Sequence, residues 1–348
     1  MVMEFLDERS KQILYAVVQS YISKPDPVGS RFVTKKYSFG FSPATVRNIM
    51  ADLEDLGFLS QPHTSAGRVP TDKGYRFYVD SIMGVREAGE FDSENGDFVR
   101  QFAKKLENIR SDVNNMFVEV TNSLSMMSNY IGVVTPPRAE KTIFNRIDFI
   151  RYKEDKVVAI LLTEEGVIKN KIIGVDPSLK QDDLNRIADY LNTEYSGQTI
   201  DEIKNLLVKK AYREKALWDK LIARAIKIYE QAISFTEDDV YVSGLYDVMN
   251  LPDFSDISKI REISKAIKDK HIILKLLDEL SDSEGVHVFI GNENPVEELK
   301  SLSVVAATYK EKDRPMGVIA LIGPTRMDYS KAIYMVDTIA ECISRTFD

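Results

Sequence analysis

The 348-residue chain reads as a multidomain α+β protein headed by a winged helix-turn-helix. Three observations predict this. The first 80 or so residues run helix, helix, four-residue turn, helix, short hairpin. That stretch also holds acid-free windows, between Asp26 and Asp52 and from Leu56 to Thr71. From Asp239 onward, strand-like and helix-like segments succeed one another over lengths that suit a single mixed layer.

In the N-terminal stretch, Asp7 can cap a first helix with Glu8 in its opening turn, and Leu6, Ile13, Leu14, Val17 and Tyr21 recur at helical spacing. Pro25 and Pro27 end that helix. Ser30 is the expected cap of a second helix that turns Phe32, Val33 and Tyr37 inward. Ser38-Phe39-Gly40-Phe41 makes a tight turn. Ser42-Pro43 then joins an oxygen cap to a proline at the first helical position. Val46, Ile49, Met50, Leu53 and Leu56 form the apolar face of this third helix, and Gly57 supplies a left-handed stop. Phe58–Gln61 and Gly67–Pro70 read as the strands of a hairpin with Arg68 at its tip, and Thr71 caps a fourth helix bearing Tyr75, Tyr78, Val79 and Ile82.

With its apolar face buried, the third helix presents Ala44, Thr45, Arg47 and Asn48 near its N-terminus. These residue types suit a major groove: Arg grips guanine, Asn grips adenine, and Thr or Ala touches a thymine methyl. Ser42 and the helix N-terminus suit a phosphate. Ser30, Arg31, Lys35 and Lys36 are candidate backbone contacts, and Arg68 a minor-groove or backbone contact. The net charge of −8 does not oppose this reading, because it is unevenly spread. Residues 1–80 hold ten Lys/Arg against nine Asp/Glu, while residues 81–348 hold 36 against 45. Phosphate binding needs local positive potential only.

Residues 84–97 read as a linker, and Phe98 to Met127 as a long helix. Ile131–Val134 is strand-like, ended by Pro136-Pro137. Segments near 143–151, 156–163 and 167–173 are joined by short turns and suggest an antiparallel meander. Helices follow near 181–192 and from Thr199, where Glu202 completes a capping box. Between Tyr212 and Phe235 the apolar stripe is doubled in width: either it is sandwiched within its own core, or half of it meets a second subunit with Trp218, Leu221, Ile222, Ala225 and Tyr229 as candidate dimer anchors, and the stripe alone leaves the two readings even. Beyond Asp239, strands near 240–244, 286–290, 303–309 and 317–322, a helix near 255–268 and a last helix from about Ser330 form an α+β unit whose first strand is Ile131–Val134, with 141–235 inserted.

Several chemistries are excluded or unsupported. No apolar run is long enough to span a membrane, and the N-terminus lacks a secretion-signal pattern. Cys342, the one cysteine, cannot form an internal disulfide. His63, His271 and His287 sit in separate elements with no metal-ligand spacing, and no phosphate-binding glycine motif occurs. Arg326 and Asp328 are read as a local pair in a helix-entry turn. No cofactor, metal or catalytic residue is expected, and a cytoplasmic location fits.

Two long motifs carry a resemblance. Phe41 to Met50 with Leu53-Glu54-Asp55-Leu56-Gly57, then His63 to Thr71 with Gly74 to Asp80, resemble the heat-inducible transcription repressor family HrcA. Asn294-Pro295 and Gly317 to Tyr329 resemble the C-terminal signature of the same family. The resemblance implies a winged helix at 1–86, a GAF-like domain at 95–140 and 236–348, and a dimerisation domain inserted at 141–235. It implies repression of chaperone operons by a homodimer on double-stranded DNA carrying an inverted repeat, the CIRCE element. It further implies loss of operator binding on heat stress and maintenance of activity by the GroE chaperonin. The alternative is a winged-helix regulator controlled by a small ligand in the GAF-like domain, which would require an apolar cavity with inward polar groups there.

Overall fold

A computed structural model describes residues 6–87 except 65, 113–137, 142–206 except 201, 204 and 205, and 240–347 except 255, 256, 279, 281–284 and 313. The anchors expected at Trp218, Leu221, Ile222, Ala225 and Tyr229, like most of the linker and the first half of the long helix, lie outside the described residues. The chain is α+β.

The N-terminal unit consists of α1 (Glu8–Ser23), α2 (Ser30–Lys36), α3 (Pro43–Asp55), the hairpin β1 (Leu59–Ser60) and β2 (Val69–Pro70), and α4 (Asp72–Glu87). Asp7 caps α1 by accepting the Ser10 amide at 2.8 Å. Ile13, Leu14, Val17, Val33, Val46 and Leu53 are fully or almost fully buried and form the N-terminal part of an apolar cluster that continues into the C-terminal unit. Gly57 takes the left-handed conformation at φ +78°, turning the chain from α3 into β1. Thr71 then serves both sides of that turn: its hydroxyl meets the Gly57 carbonyl at 2.7 Å and receives the Gly74 amide at 3.2 Å.

Three local expectations are corrected. Gly29, not Ser30, is the cap of α2, and Ser30 is its first helical residue. Phe32 is 52% exposed, because a two-turn helix offers one inward position, which Val33 takes; the ring lies under the Lys36 ammonium instead. Leu56 is exposed, because α3 ends before it and the chain swings away at Gly57.

The C-terminal unit is built on an antiparallel sheet of β3 (Ile131–Val134), β7 (Tyr241–Ser243), β8 (Val286–Ile290), β9 (Leu302–Glu311) and β10 (Arg314–Pro324), in the order β7-β3-β10-β9-β8. Strand β3 thus pairs on both sides with strands that follow it by more than 100 residues. Helices cover both faces. On one lie α5 (Val113–Ser128) and α10 (Tyr329–Phe347), packed on Val134, Ile319 and Leu321; on the other lie α7 (Leu245–Met249), α8 (Ile257–Lys268) and α9 (Lys270–Asp278), packed on Val133, Val318 and Ala320. Burial on both faces explains why β10 reads as a continuous apolar run and not as an alternation. α9 follows α8 directly and is not among the helices that the sequence pattern predicts, which gives one helix near 255–268.

Between β3 and β7 lies a smaller layer: the meander β4 (Phe144–Lys153), β5 (Lys156–Thr163) and β6 (Ile168–Gly174), covered on one face by α6 (Gln181–Tyr195). Two α6 amides seal the open edge of β4. Asn192 exchanges hydrogen bonds with the Ile147 backbone at 2.8 and 3.0 Å, and Gln181 bridges the Arg151 amide and Phe149 carbonyl at 3.0 and 2.8 Å. An edge strand protected in this way cannot template pairing with another chain. The Thr199–Glu202 capping box forms as its spacing predicts, with bonds of 2.9 and 3.3 Å.

Candidate nucleic-acid interface

α3 owes its start to Ser42, whose hydroxyl accepts the Thr45 amide at 3.1 Å while Pro43 occupies the first turn. Val46, Met50 and Leu53 turn into the core. The opposite edge therefore carries Ala44, Arg47 and Asn48, all exposed, with Thr45 half-buried and its hydroxyl 2.9 Å from that of Ser42. No side chain of the described residues forms an ion pair with Arg47. That edge combines a free guanidinium, an amide and two small groups on a rigid helix, which is the donor set for reading base edges.

Arg31, Lys35 and Lys36 are exposed on α2. Lys36 sits over Phe32 and Tyr37 at 5.7 and 5.2 Å, which holds its ammonium at the protein surface without neutralising it. Ser30 is half-buried and accepts the Thr34 hydroxyl at 2.8 Å. The loop entering α3 is stiffened by rings: Tyr37 stacks on Phe39 at 5.5 Å, Phe39 lies 6.3 Å from Phe41, and Arg9 of α1 covers Phe41. This aromatic ladder positions the start of α3, where the residue pattern by itself signals only a tight turn.

Arg68 is not at the hairpin tip. Its backbone exchanges two 2.9 Å hydrogen bonds with Val28, and its guanidinium pairs with Glu54 of α3 at 2.6 Å. It stands where the tip loop rejoins β2 and ties that end of the strand to the α1–α2 connection and to α3. The tip is closed by Gln61, which donates to the Thr64 and Ala66 carbonyls at 3.1 and 3.0 Å, and the exposed ring there is His63. Two glycines in this motif have a steric reason. A Cβ on Gly67 would lie 2.4 Å from the Val28 carbonyl, and one on Gly74 would lie 2.2 Å from the Phe58 oxygen.

Arg326 also departs from expectation. It does not pair with Asp328. Its Nε and Nη2 hold Asp253 at 3.0 and 2.7 Å, and its Nη1 donates to the Ile22 carbonyl of α1 at 2.6 Å. Asp328 instead accepts the Lys331 amide at 3.1 Å near the start of α10. Cys342 is buried, and burial pushes its thiol pKa up, away from reactivity. Among the described residues no His, Cys, Asp and Glu side chains group in threes or more as a metal site, and no helix is long and apolar enough to cross a membrane.

A capped helix with an unpaired polar edge, followed by a hairpin and joined to a larger α+β unit, is the layout of a transcription regulator. The family model described as HrcA protein C terminal domain matches residues 114–333. Over 341 residues the chain is 52% identical to the heat-inducible transcription repressor HrcA of Thermodesulfovibrio yellowstonii, covering 98% of each. It is 37% identical to the same-named protein of Geobacter sulfurreducens, covering 99% of this chain and 98% of that one. A crystal structure at 2.2 Å, described as that of a hypothetical protein, superposes with a TM-score of 0.65 at 25% identity, covering 98% of both chains. The chain belongs to the HrcA family of heat-inducible transcription repressors.

Proposed function

We propose that the chain represses transcription by holding an inverted-repeat operator as a twofold dimer, with α3 of each protomer in a major groove. The observation that carries this reading is the exposed, unpaired Ala44/Arg47/Asn48 edge of a side-chain-capped helix. In the proposed complex Arg47 and Asn48 read bases, Thr45 and Ala44 meet a thymine methyl, and Ser42 with the α3 N-terminus faces a phosphate. Ser30, Arg31, Lys35 and Lys36 hold the backbone. Arg68 joins the set only by exchanging Glu54 for a phosphate; otherwise it braces the hairpin.

The domain assignment is part of the proposal: a winged helix at 1–86, a GAF-like domain at 95–140 and 236–348, and a dimerisation domain at 141–235. Pairing of β3 with β7 and β10 supports it, since the segments flanking 141–235 enter one sheet. The outer face of the meander supports the dimer. Ile150, Tyr152, Ile168 and Ile172 are each more than half exposed there, an apolar patch that a second subunit would cover. Trp218, Leu221, Ile222, Ala225 and Tyr229 are the proposed companions of that patch. Family membership supports the finer statements: a CIRCE-type operator before chaperone operons, release on heat stress, and maintenance by the GroE chaperonin.

Gel shifts on the intact repeat and on duplexes with either half destroyed test this. Two linked contacts gain about 10²–10⁴ in avidity, so a lone half-site should bind far more weakly. Full affinity for one half rejects the dimeric reading.

A further inference from the structure

α4 has two allegiances. Phe77 and Tyr78 pack into the N-terminal unit against Tyr15 and Phe58, with ring centroids 5.6–6.0 Å apart. The face carrying Asp72, Tyr75 and Arg76 looks the other way. There Asp72 accepts the Asn292 backbone amide at 3.1 Å and its side-chain amide at 3.0 Å. Arg76 donates its Nε to Glu293 at 2.9 Å, with a second, shorter contact between the same two groups, and also reaches the Val288 carbonyl. Tyr75 lies against Tyr329 of α10 at 5.8 Å, both buried. On the far side of the joint, Arg326 ties the Ile22 carbonyl of α1 to Asp253. Gly291 marks how closely the surfaces meet: it is left-handed at φ +52°, and a Cβ there would lie 2.4 Å from an Asp72 carboxylate oxygen.

These bonds join residues more than 200 positions apart, at two separated points. One contact point would leave the N-terminal unit free to swivel; two points with directional, charge-assisted bonds fix its orientation. A DNA-reading head fixed in this way transmits the geometry of the dimer to its two recognition helices. A head on a free tether would instead tolerate many half-site spacings.

We propose that Asp72, Arg76 and Arg326 are positioning residues for operator recognition. They clasp the N-terminal unit to the C-terminal unit, and this clasp, not the base-contacting side chains, sets the half-site spacing the dimer accepts. The proposal rests on the repressor reading above. None of the three touches DNA in it.

The test uses the full-length chain and duplexes built on the inverted repeat protected upstream of its own operon. The spacer is varied base pair by base pair through about half a helical turn, roughly five base pairs. Wild type should prefer its own spacing by about a hundredfold or more over the half-turn shift. Arg76→Glu should reduce that preference to within about tenfold while leaving affinity for a lone half-site unchanged. Adding Glu293→Arg reverses the pair and should restore the preference. Gly291→Ala, which crowds Asp72 from the C-terminal side, serves as a second disruption if Arg76→Glu does not fold. Spin-label distances between α1 and α10, measured without DNA, should be narrow in wild type, broad in Arg76→Glu and narrow again in the double variant. An undiminished spacing preference in a variant with broadened distances overturns the positioning role. Unchanged distances overturn the clasp itself. If wild type binds no duplex, the repressor reading fails with its operator role, and the distances still decide whether the clasp exists.

Discussion

Arg47 and Arg76 lie in the same N-terminal unit and differ in what they touch. Arg47 stands exposed on α3 with no ion-pair partner among the described residues, beside an equally exposed Asn48. Arg76, on α4, is committed to Glu293, the Val288 carbonyl and Asp80. The unit thus has one polar face left open and one polar face spent on holding position. A satisfied arginine costs little to keep in place, while an unpaired one keeps its full hydrogen-bonding capacity for an incoming acceptor. Basic residues counted from sequence therefore do not all bear on DNA. The open face and the clasped face separate them.

The largest expected effect falls on the clasped side. Arg326→Ala removes three charge-assisted hydrogen bonds and strands the half-buried Asp253, and should lower stability by about 1.5–3 kcal/mol. Thermal unfolding without DNA reads this, and an unchanged midpoint would dissolve the contrast between the faces. On the open side the pattern inverts. Arg47→Ala should cost about 1–3 kcal/mol of operator affinity and relax sequence preference. Its melting point should move by no more than a surface change does, about 0.5 kcal/mol or less. Ser42→Ala lies between: losing the α3 cap should cost about 1 kcal/mol of stability and weaken the operator complex with it. Lys35→Ala should weaken operator and random DNA alike, lowering the salt slope by about one unit in a titration of binding against salt.

The smallest effect is a pH dependence. Side-chain and backbone bonds from Ser10 hold the Asp7 carboxyl below the usual carboxylate range, and bonds from the Thr199 backbone and hydroxyl do the same for Glu202. A depressed folded pKa stabilises above the unfolded value, about 4, and the benefit is lost as pH falls through the folded one. The gap in melting temperature between wild type and Asp7→Ala should therefore be full at neutral pH and close below about pH 4. A gap that widens on acidification would assign the Asp7 cap a different physics.

Local signals were legible wherever one residue type satisfies one backbone need. The Asp7 and Ser42 caps, the Gly57 turn, the Thr199–Glu202 box and the meander all follow from spacing and residue chemistry. So did the polar edge of α3, because a buried Val46/Met50/Leu53 stripe leaves Arg47 and Asn48 nowhere else to go. Partnerships across the chain were not legible. Arg326 lies two residues from Asp328, which made a local pair the natural reading, yet its partners are 73 and 304 positions away. Arg68 looked like a hairpin tip because it directly follows the small Ala66-Gly67 of the loop, and only tertiary contact reveals Val28 and Glu54 beside it. Phe32 and Leu56 belonged to apolar patterns that the short α2 and the early end of α3 cut off. Gly67, Gly74 and Gly291 carry no sequence signal of the backbone or side chain that a Cβ would strike.

The central claim is that the open edge of α3 reads bases, and a coupling measurement tests it most directly. Binding of wild type and Arg47→Ala is compared on operators in which single guanines are replaced by 7-deazaguanine, which removes the N7 acceptor a guanidinium would grip. If Arg47 reads a guanine, one position per half-site will weaken wild type and leave Arg47→Ala unaffected by the further loss. If the two losses simply add at every guanine, Arg47 does not contact a base there and the assignment of α3 as the reading helix is contradicted.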